Sequence, residues 1–246
     1  MSTLFVAWQS PSPSRLWFPI GRLDASDQRD HFEFSYTKGA LEASRESGFK
    51  PLLAFPDFNR KYESSELFSL FENRILNRNR EDFSDYLRWL DISRDNVDPI
   101  EILGLTGGGR QTDSLEIFPK VTRQDDGTVT YRFFLHGMRY VSDAARRRAA
   151  ELVDGEELRV AIELNNPATR TAVQLQSVDG HMLGWAPRYL VADLCRSLIP
   201  NAEIVANVHR VNQLDAPSSM RVLVNLQGRI PDDFIPMSST EYMLNI

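Results

Sequence analysis

The sequence predicts an α+β protein of two domains, residues 1–125 and 126–230, followed by a C-terminal tail over residues 231–246. Alternating apolar and polar residues, as over residues 31–36, indicate half-buried strands. Apolar residues at three- and four-residue spacing, as over residues 82–90, indicate amphipathic helices. A polar stretch that ends in an Asp-Gly turn signal separates the two halves, so we place the domain boundary there.

The first domain opens with a hairpin, because two apolar runs flank a cluster of serine and proline residues. Its predicted strands are residues 4–8, 16–23, 31–36 and 114–119. Its predicted helices are residues 39–46, a helix that begins at Ser64 or Ser65 as N-cap, residues 82–90 and residues 99–103, which Gly104 ends.

The second domain alternates short strands with two helices. The predicted strands are residues 129–135, 158–164, 172–177, 182–185, 203–211 and 220–227. The predicted helices are residues 143–153, with Ser142 as N-cap, and residues 188–198 after Pro187. The tail from residue 231 has no periodic pattern, and we expect it to be irregular.

The charge of the chain limits the ways in which it can bind nucleic acid. The net charge of −6 argues against a protein that coats nucleic acid over its whole surface. Residues 131–246, however, contain arginine and no lysine. Arginine presents a planar fork that suits phosphates and base edges, although a GC-rich genome produces the same bias. Both explanations stay open.

Several classes of site are not supported by the sequence. The single cysteine, Cys195, excludes an internal disulfide framework and a cysteine-cluster zinc site. The four histidines are scattered without metal-ligand spacing, so we expect no metal and no cofactor. The glycine-rich residues 106–110 lack the Gly-Lys-Ser/Thr ending of a phosphate-binding loop. No catalytic constellation is found, and we expect a protein that is not an enzyme.

The N-terminal residues lack the pattern of a secretory signal, and no window has the length of a membrane span. We therefore expect a cytoplasmic protein with no membrane partner.

Three segments in the second half carry the strongest functional signal. They are residues 136–140 (His-Gly-Met-Arg-Tyr), residues 163–173 (with Asn-Asn-Pro inside) and residues 183–187 (Leu-Gly-Trp-Ala-Pro). In this order and spacing they resemble the HIRAN domain. The resemblance implies a small antiparallel β-barrel with two helices that binds DNA, notably single-stranded ends.

The resemblance places Arg139 and Tyr140 in the nucleic-acid pocket. An arginine can bind a phosphate through two donors, and a tyrosine can stack on a base. The alternative, in which Tyr140 is a core aromatic and Arg139 a solvated strand residue, stays open.

The same resemblance gives Asn165, Asn166 and Pro167 the task of shaping the pocket. In the family this loop continues with a tyrosine and an aspartate that hold the terminal nucleotide and its 3′-hydroxyl. Here Ala168 and Thr169 stand at those positions. Alanine cannot stack on a base and threonine carries no charge. We expect strand binding to persist, with Thr169 in the site, while selection of a free 3′-hydroxyl is in doubt.

Three further residues complete the predicted site. Arg170 and Arg188 are expected to contact phosphates, the latter in the first turn of a helix, where backbone amides attract anions. Trp185 is expected to stack on a base, with a core position as the alternative.

The N-terminal half resembles, more weakly, the N-terminal subdomain of HipA-type toxin kinases. The segments that carry this resemblance are residues 20–23, 32–36, 51–56 and 67–74. The kinase core of that family does not follow them, so the resemblance implies a fold and a protein-docking role without phosphoryl transfer.

The function predicted from these observations is nucleic-acid binding, to single-stranded DNA or DNA ends, as a module of a DNA repair, restriction or phage-defence assembly. The alternative is a protein-interaction or scaffold subunit of a toxin–antitoxin or defence complex that has no intrinsic DNA binding.

Overall fold

The computed structural model describes residues 1–198 and 204–245, and their positions divide into two compact units. The first unit contains residues 1–80 and 96–120 together with the chain from Met237 onward. The second contains residues 81–95 and the described residues of 121–236. Both units combine helices with an antiparallel sheet, which confirms the α+β class. The two-domain division and its boundaries stay predictions.

The first unit is built on a five-stranded antiparallel sheet of order β4-β3-β2-β1-β5. The strands are β1 (Ser2–Gln9), β2 (Trp17–Ala25), β3 (Phe32–Tyr36), β4 (Tyr62–Ser64) and β5 (Leu115–Pro119). The helices are α1 (Lys38–Ser47), α2 (Ser69–Glu72) and α4 (Pro99–Thr106). The pairing of β1 with β2 confirms the predicted opening hairpin.

An aromatic cluster fills the core of this unit. Phe34 and Phe55 stack with ring centroids 4.0 Å apart, and Phe71 packs 6.0 Å from Phe34. Phe68 approaches Phe55 edge-on at 5.1 Å. Such pairs contribute beyond the apolar area that they bury.

Two predictions about helix ends are wrong. The helix expected from Ser64 is the single turn α2, because Ser64 lies at the end of β4 and Phe68 is drawn into the aromatic cluster. Gly104 does not end α4. It lies inside the helix, where a Cβ would meet Leu4 at 3.4 Å, and the helix ends instead at Gly107, whose φ of 72° is left-handed.

The second unit is built on a six-stranded antiparallel sheet of order β6-β11-β10-β7-β8-β9. The strands are β6 (Thr128–Phe134), β7 (Glu157–Asn166), β8 (Arg170–Ser177), β9 (Met182–Trp185), β10 (Ile204–Val211) and β11 (Val222–Arg229). The helices are α3 (Phe83–Leu90), α5 (Asp143–Ala150) and α6 (Arg188–Asp193), and α6 continues as a π-helical turn over Leu194–Leu198. Residue 203, where a strand was predicted to begin, lies outside the described residues.

The sheet of the second unit does not form the closed barrel that was predicted. Strands β6 and β9 are at opposite ends of the strand order. They are linked by one isolated bridge, in which His136, after β6, exchanges backbone hydrogen bonds with Trp185 at 2.9 and 3.0 Å. A single bridge replaces a full ladder because the chain turns away at Gly137, immediately after this contact.

Helix α3, predicted as part of the first domain, packs in the second unit. Arg132 of β6 donates to the carbonyl of Leu90, and both Arg132 and Arg210 contact the Asp91 carboxylate at 3.1 and 2.9 Å. His209 reaches the same carboxylate at 2.7 Å. Burial raises the pKa of Asp91, but the His209 hydrogen bond and the two arginine charges outweigh it, so the net pKa lies below the usual range.

Of the residues predicted as an irregular C-terminal tail, those from Met237 onward belong to the first unit. Leu244 forms a bridge with Thr37, and the Asn245 amide donates to the Tyr36 carbonyl at 2.9 Å. Within the described residues, no helix combines the length and apolar character that a membrane span requires.

Candidate nucleic-acid interface

A cavity of about 280 Å³ opens in the second unit just after β6. Its walls are the segment that follows the strand and the turn that precedes β11. The lining residues are Leu135, His136, Gly137, Met138, Arg139, Tyr140, Ser218 and Ser219. Two of the predicted site residues, Arg139 and Tyr140, therefore line one cavity. His136, Ser218 and Ser219 were not predicted, and the serines come from a turn more than seventy residues away in sequence.

Gly137 sets the backbone direction at the start of the segment that lines this cavity. Its φ of 72° is a conformation that residues with a Cβ rarely adopt. A Cβ on Gly137 would also lie 2.4 Å from the Trp185 ring, so the backbone packs directly against the indole. Met138 then turns inward and is 9% exposed, which leaves the next two side chains outside the core. A glycine is thus needed here for two independent reasons.

Arg139 and Tyr140 form a pair at the cavity. The Arg139 guanidinium lies 4.6 Å from the centroid of the Tyr140 ring, and Nη2 donates to the tyrosine hydroxyl at 2.5 Å. Tyr140 is 69% exposed, which excludes the alternative that it is a core aromatic. Across residues 1–198 and 204–245, no carboxylate pairs with Arg139. The arginine is held by a cation–π contact, and its remaining donors are available.

Two of the three arginines of α5, Arg146 and Arg148, are engaged within the protein. Arg146 donates to the carbonyls of Arg139 and Val141 at 3.3 and 2.8 Å and pairs with Asp143. These hydrogen bonds hold the backbone around Arg139, which lines the cavity. Arg148 pairs with Glu156, immediately before β7, and with Asp179 in the turn between β8 and β9, so neither Arg146 nor Arg148 is a free cation.

The turn between β7 and β8 is held by one side chain. The Asn166 Oδ1 accepts hydrogen bonds from the amides of Ala168 and Thr169 and from the Thr169 hydroxyl, at 3.0 to 3.1 Å. Asn165 and Arg170, on either side, have φ of 67° and 65°. Asparagine is suited to such turns because its side chain mimics a backbone carbonyl. The Thr169 hydroxyl is therefore engaged inside the turn.

Trp185 connects this turn to the cavity wall. Its Nε1 donates to Glu163 Oε2 at 2.6 Å, and the same oxygen accepts from Asn166 Nδ2 at 2.9 Å. These two hydrogen bonds hold the pKa of Glu163 below its usual range, since both stabilise the carboxylate. With one part of the indole against Gly137 and its N–H bonded, Trp185 has a clear positioning role, and base stacking by it stays a prediction.

The structure thus brings some of the predicted site residues together. Arg139 and Tyr140 line the cavity, and Trp185 and Asn166 are joined to each other through Glu163, which was not predicted. No pattern in the sequence marks Glu163, because its partners come from a turn and another strand. The remaining predicted residues do not line this cavity, and they are Asn165, Pro167, Thr169, Arg170 and Arg188.

One group in the first unit has the composition of a cation site. Ligand atoms of His31, Glu33 and Glu63 lie within 4.8 Å of one another. Lys61 Nζ already contacts Glu33 at 2.7 Å and Glu63 at 3.1 Å, so a lysine ammonium stands in the place that a metal would take.

Residues 128–229 match the family model described as HIRAN domain, which confirms the predicted domain in this part of the chain. The HIRAN domain is a nucleic-acid-binding module. The resemblance of the N-terminal half to HipA-type kinases has no support in the comparisons. No curated protein matches the chain.

Two solved structures resemble the chain. The HIRAN domain of human HLTF is 20% identical, with a TM-score of 0.31, over 43% of this chain and 84% of that one. A Lactobacillus plantarum protein is 16% identical, with a TM-score of 0.31, over 42% of this chain and 100% of that one.

Proposed function

We propose that this protein binds single-stranded DNA through the cavity that Arg139 and Tyr140 line. The observation that carries the proposal is the exposed Tyr140 ring beside Arg139, which has no carboxylate partner among the described residues, inside the segment that matches a HIRAN family model. An exposed aromatic ring next to a free cation is the combination that single-strand binders use for a base and its phosphate.

The physical terms of this interaction follow from the two side chains. Stacking of a base on an aromatic ring contributes about 1–3 kcal/mol. The guanidinium, already stacked on Tyr140, loses little further freedom when it binds a phosphate. Each phosphate that is neutralised releases counterions, so the affinity should fall as salt is raised.

The wider setting is part of the same proposal. A module that binds strands or ends without catalysing a reaction fits a DNA repair, restriction or phage-defence assembly. This setting is supported by the resemblance to HIRAN domains alone.

The test is fluorescence anisotropy with a short labelled single strand at about 50 and 200 mM salt. We expect binding whose logarithmic salt slope decreases by roughly 0.7 when Arg139→Gln removes one phosphate contact. Arg229→Gln is the matched control. Arg229 is exposed and lies at the far end of β11, six residues from the Leu223 that pairs with Phe134 beside the cavity.

Absence of binding by the intact chain at low salt would refute the proposal and favour the protein-interaction alternative. Equal losses in Arg139→Gln and Arg229→Gln would show that the cavity is not the binding site.

A further inference from the structure

We infer that the cavity selects a strand end that carries a terminal phosphate. This inference rests on the proposed function and adds which chemical group the cavity receives. A terminal phosphate carries nearly two negative charges at neutral pH, whereas a phosphate inside a strand carries one. A site that offers a cation and several hydrogen-bond donors distinguishes these two groups.

The cavity offers such donors. The Arg139 guanidinium has five N–H groups, of which one is engaged with the Tyr140 hydroxyl. Ser218 and Ser219 are exposed and also line the cavity, and in the described part of the chain neither hydroxyl has a protein partner. Three side chains from two separate segments thus present donors to one space. None of the eight lining residues is acidic, so no carboxylate repels an anion at its walls.

Two groups of the β7–β8 hairpin that could recognise a terminal sugar hydroxyl, Glu163 and Thr169, are engaged within the protein. A hydroxyl end is bound best by an acceptor, above all a carboxylate. The Glu163 carboxylate accepts from Trp185 and Asn166, and the Thr169 hydroxyl is bonded to Asn166. Glu163 Oε2 and the Thr169 hydroxyl are therefore engaged within the protein, while the Ser218 and Ser219 hydroxyls have no protein partner among the described residues. This contrast favours a phosphate over a hydroxyl.

The size of the cavity agrees with a terminal group. Its volume of about 280 Å³ lies just below the range of ligand sites, which span roughly 300–1,000 Å³. A single terminal nucleotide matches that volume, with its base against Tyr140 and its phosphate toward Arg139 and the serines. Either strand end can supply the group, and the experiment must separate the two.

The experiment uses four unlabelled strands of one sequence as competitors against a labelled strand. One has a 5′-phosphate, one a 3′-phosphate, one hydroxyls at both ends, and one is circular. We expect one phosphorylated strand to compete roughly tenfold better than the hydroxyl strand, because charge-assisted hydrogen bonds are the strong ones. The phosphorylated strand that competes better shows whether the cavity binds the 5′ or the 3′ end.

Variants assign the gain to the cavity. Arg139→Gln, and separately the double change Ser218→Ala with Ser219→Ala, should remove most of the phosphate advantage while leaving residual binding to the hydroxyl strand. Arg229→Gln should keep the advantage. Circular dichroism of each variant establishes that the fold is retained.

Salt-sensitive binding that is equal for all four strands would overturn this inference and leave the proposed function standing. Preference for the hydroxyl strand would overturn it as well. Failure of every strand to bind would remove the proposed function and the inference together.

Discussion

Replacing Gly137 by alanine tests the geometry of the cavity wall directly. Gly137 has a φ of 72°, and the added Cβ would lie 2.4 and 2.7 Å from two atoms of the Trp185 ring. A side chain in the left-handed region costs about 1–2 kcal/mol. Forcing a methyl group into packed surroundings costs about 1–3 kcal/mol more. We therefore expect Gly137→Ala to lower the free energy of unfolding by about 2–5 kcal/mol.

Gly155→Ala is a matched control within the same unit. Gly155 has a φ of 84°, but among the described residues other than its chain neighbours no atom lies within 4 Å of the position its Cβ would take. In this variant the free energy of unfolding should fall only by the cost of placing a side chain in the left-handed region, about 1–2 kcal/mol. The difference between the two variants isolates the contact with Trp185.

The assay is denaturant unfolding followed by tryptophan fluorescence and circular dichroism, with strand binding measured on the same samples. Gly137→Ala should also weaken binding, because displacement of Trp185 moves the wall that carries Arg139. Equal destabilisation by the two glycine variants would refute the close approach of Gly137 to the indole.

Three other perturbations have defined outcomes. Because the pKa of Asp91 is depressed in the folded protein, its contribution to stability is present above about pH 4 and is lost as the pH falls below about 4. The free energy of unfolding, measured from about pH 5 to about pH 3, should show this loss. Asp91→Asn should make the free energy of unfolding less dependent on pH over this range. Glu163→Ala leaves the Trp185 N–H without its acceptor and should lower the free energy of unfolding by about 1–3 kcal/mol. Glu157 is exposed on the same strand, and Glu157→Ala should lower it by less than about 0.5 kcal/mol. Similar losses in the two variants would contradict the assigned role of Glu163. Tyr140→Ala should weaken strand binding by about 1–3 kcal/mol and Tyr140→Phe by much less, and an unchanged Kd for the alanine variant would exclude stacking.

Local features of the fold could be predicted from the sequence because they depend on neighbours in the chain. The opening hairpin follows from two apolar runs around a proline-rich turn, and β1 and β2 pair as expected. The cap of α5 is another example, since the Ser142 hydroxyl accepts from the Ala145 amide at 3.2 Å. A cap is formed within one turn of chain, so its signal is present in a few consecutive residues.

Helix ends that depend on packing could not be predicted in the same way. Gly104 has the residue type of a helix stop but lies inside α4, where it is buried beside Leu4 and Pro119. Phe68 has helical spacing but packs into the aromatic cluster before the helix begins. In both places tertiary contacts outweigh a local preference of about 1 kcal/mol.

The sequence by itself predicted the HIRAN-like segment, which a family model matches over residues 128–229, and it singled out Arg139 and Tyr140, which line one cavity. These two are adjacent in the chain, so one short motif contains them both. Only the tertiary structure decided that Ser218 and Ser219 complete the cavity and that Glu163 ties Trp185 to the Asn166 turn. The two serines lie more than seventy residues from Arg139, and Trp185 lies two strands after Glu163. These contacts depend on strand order and register, which no local pattern specifies.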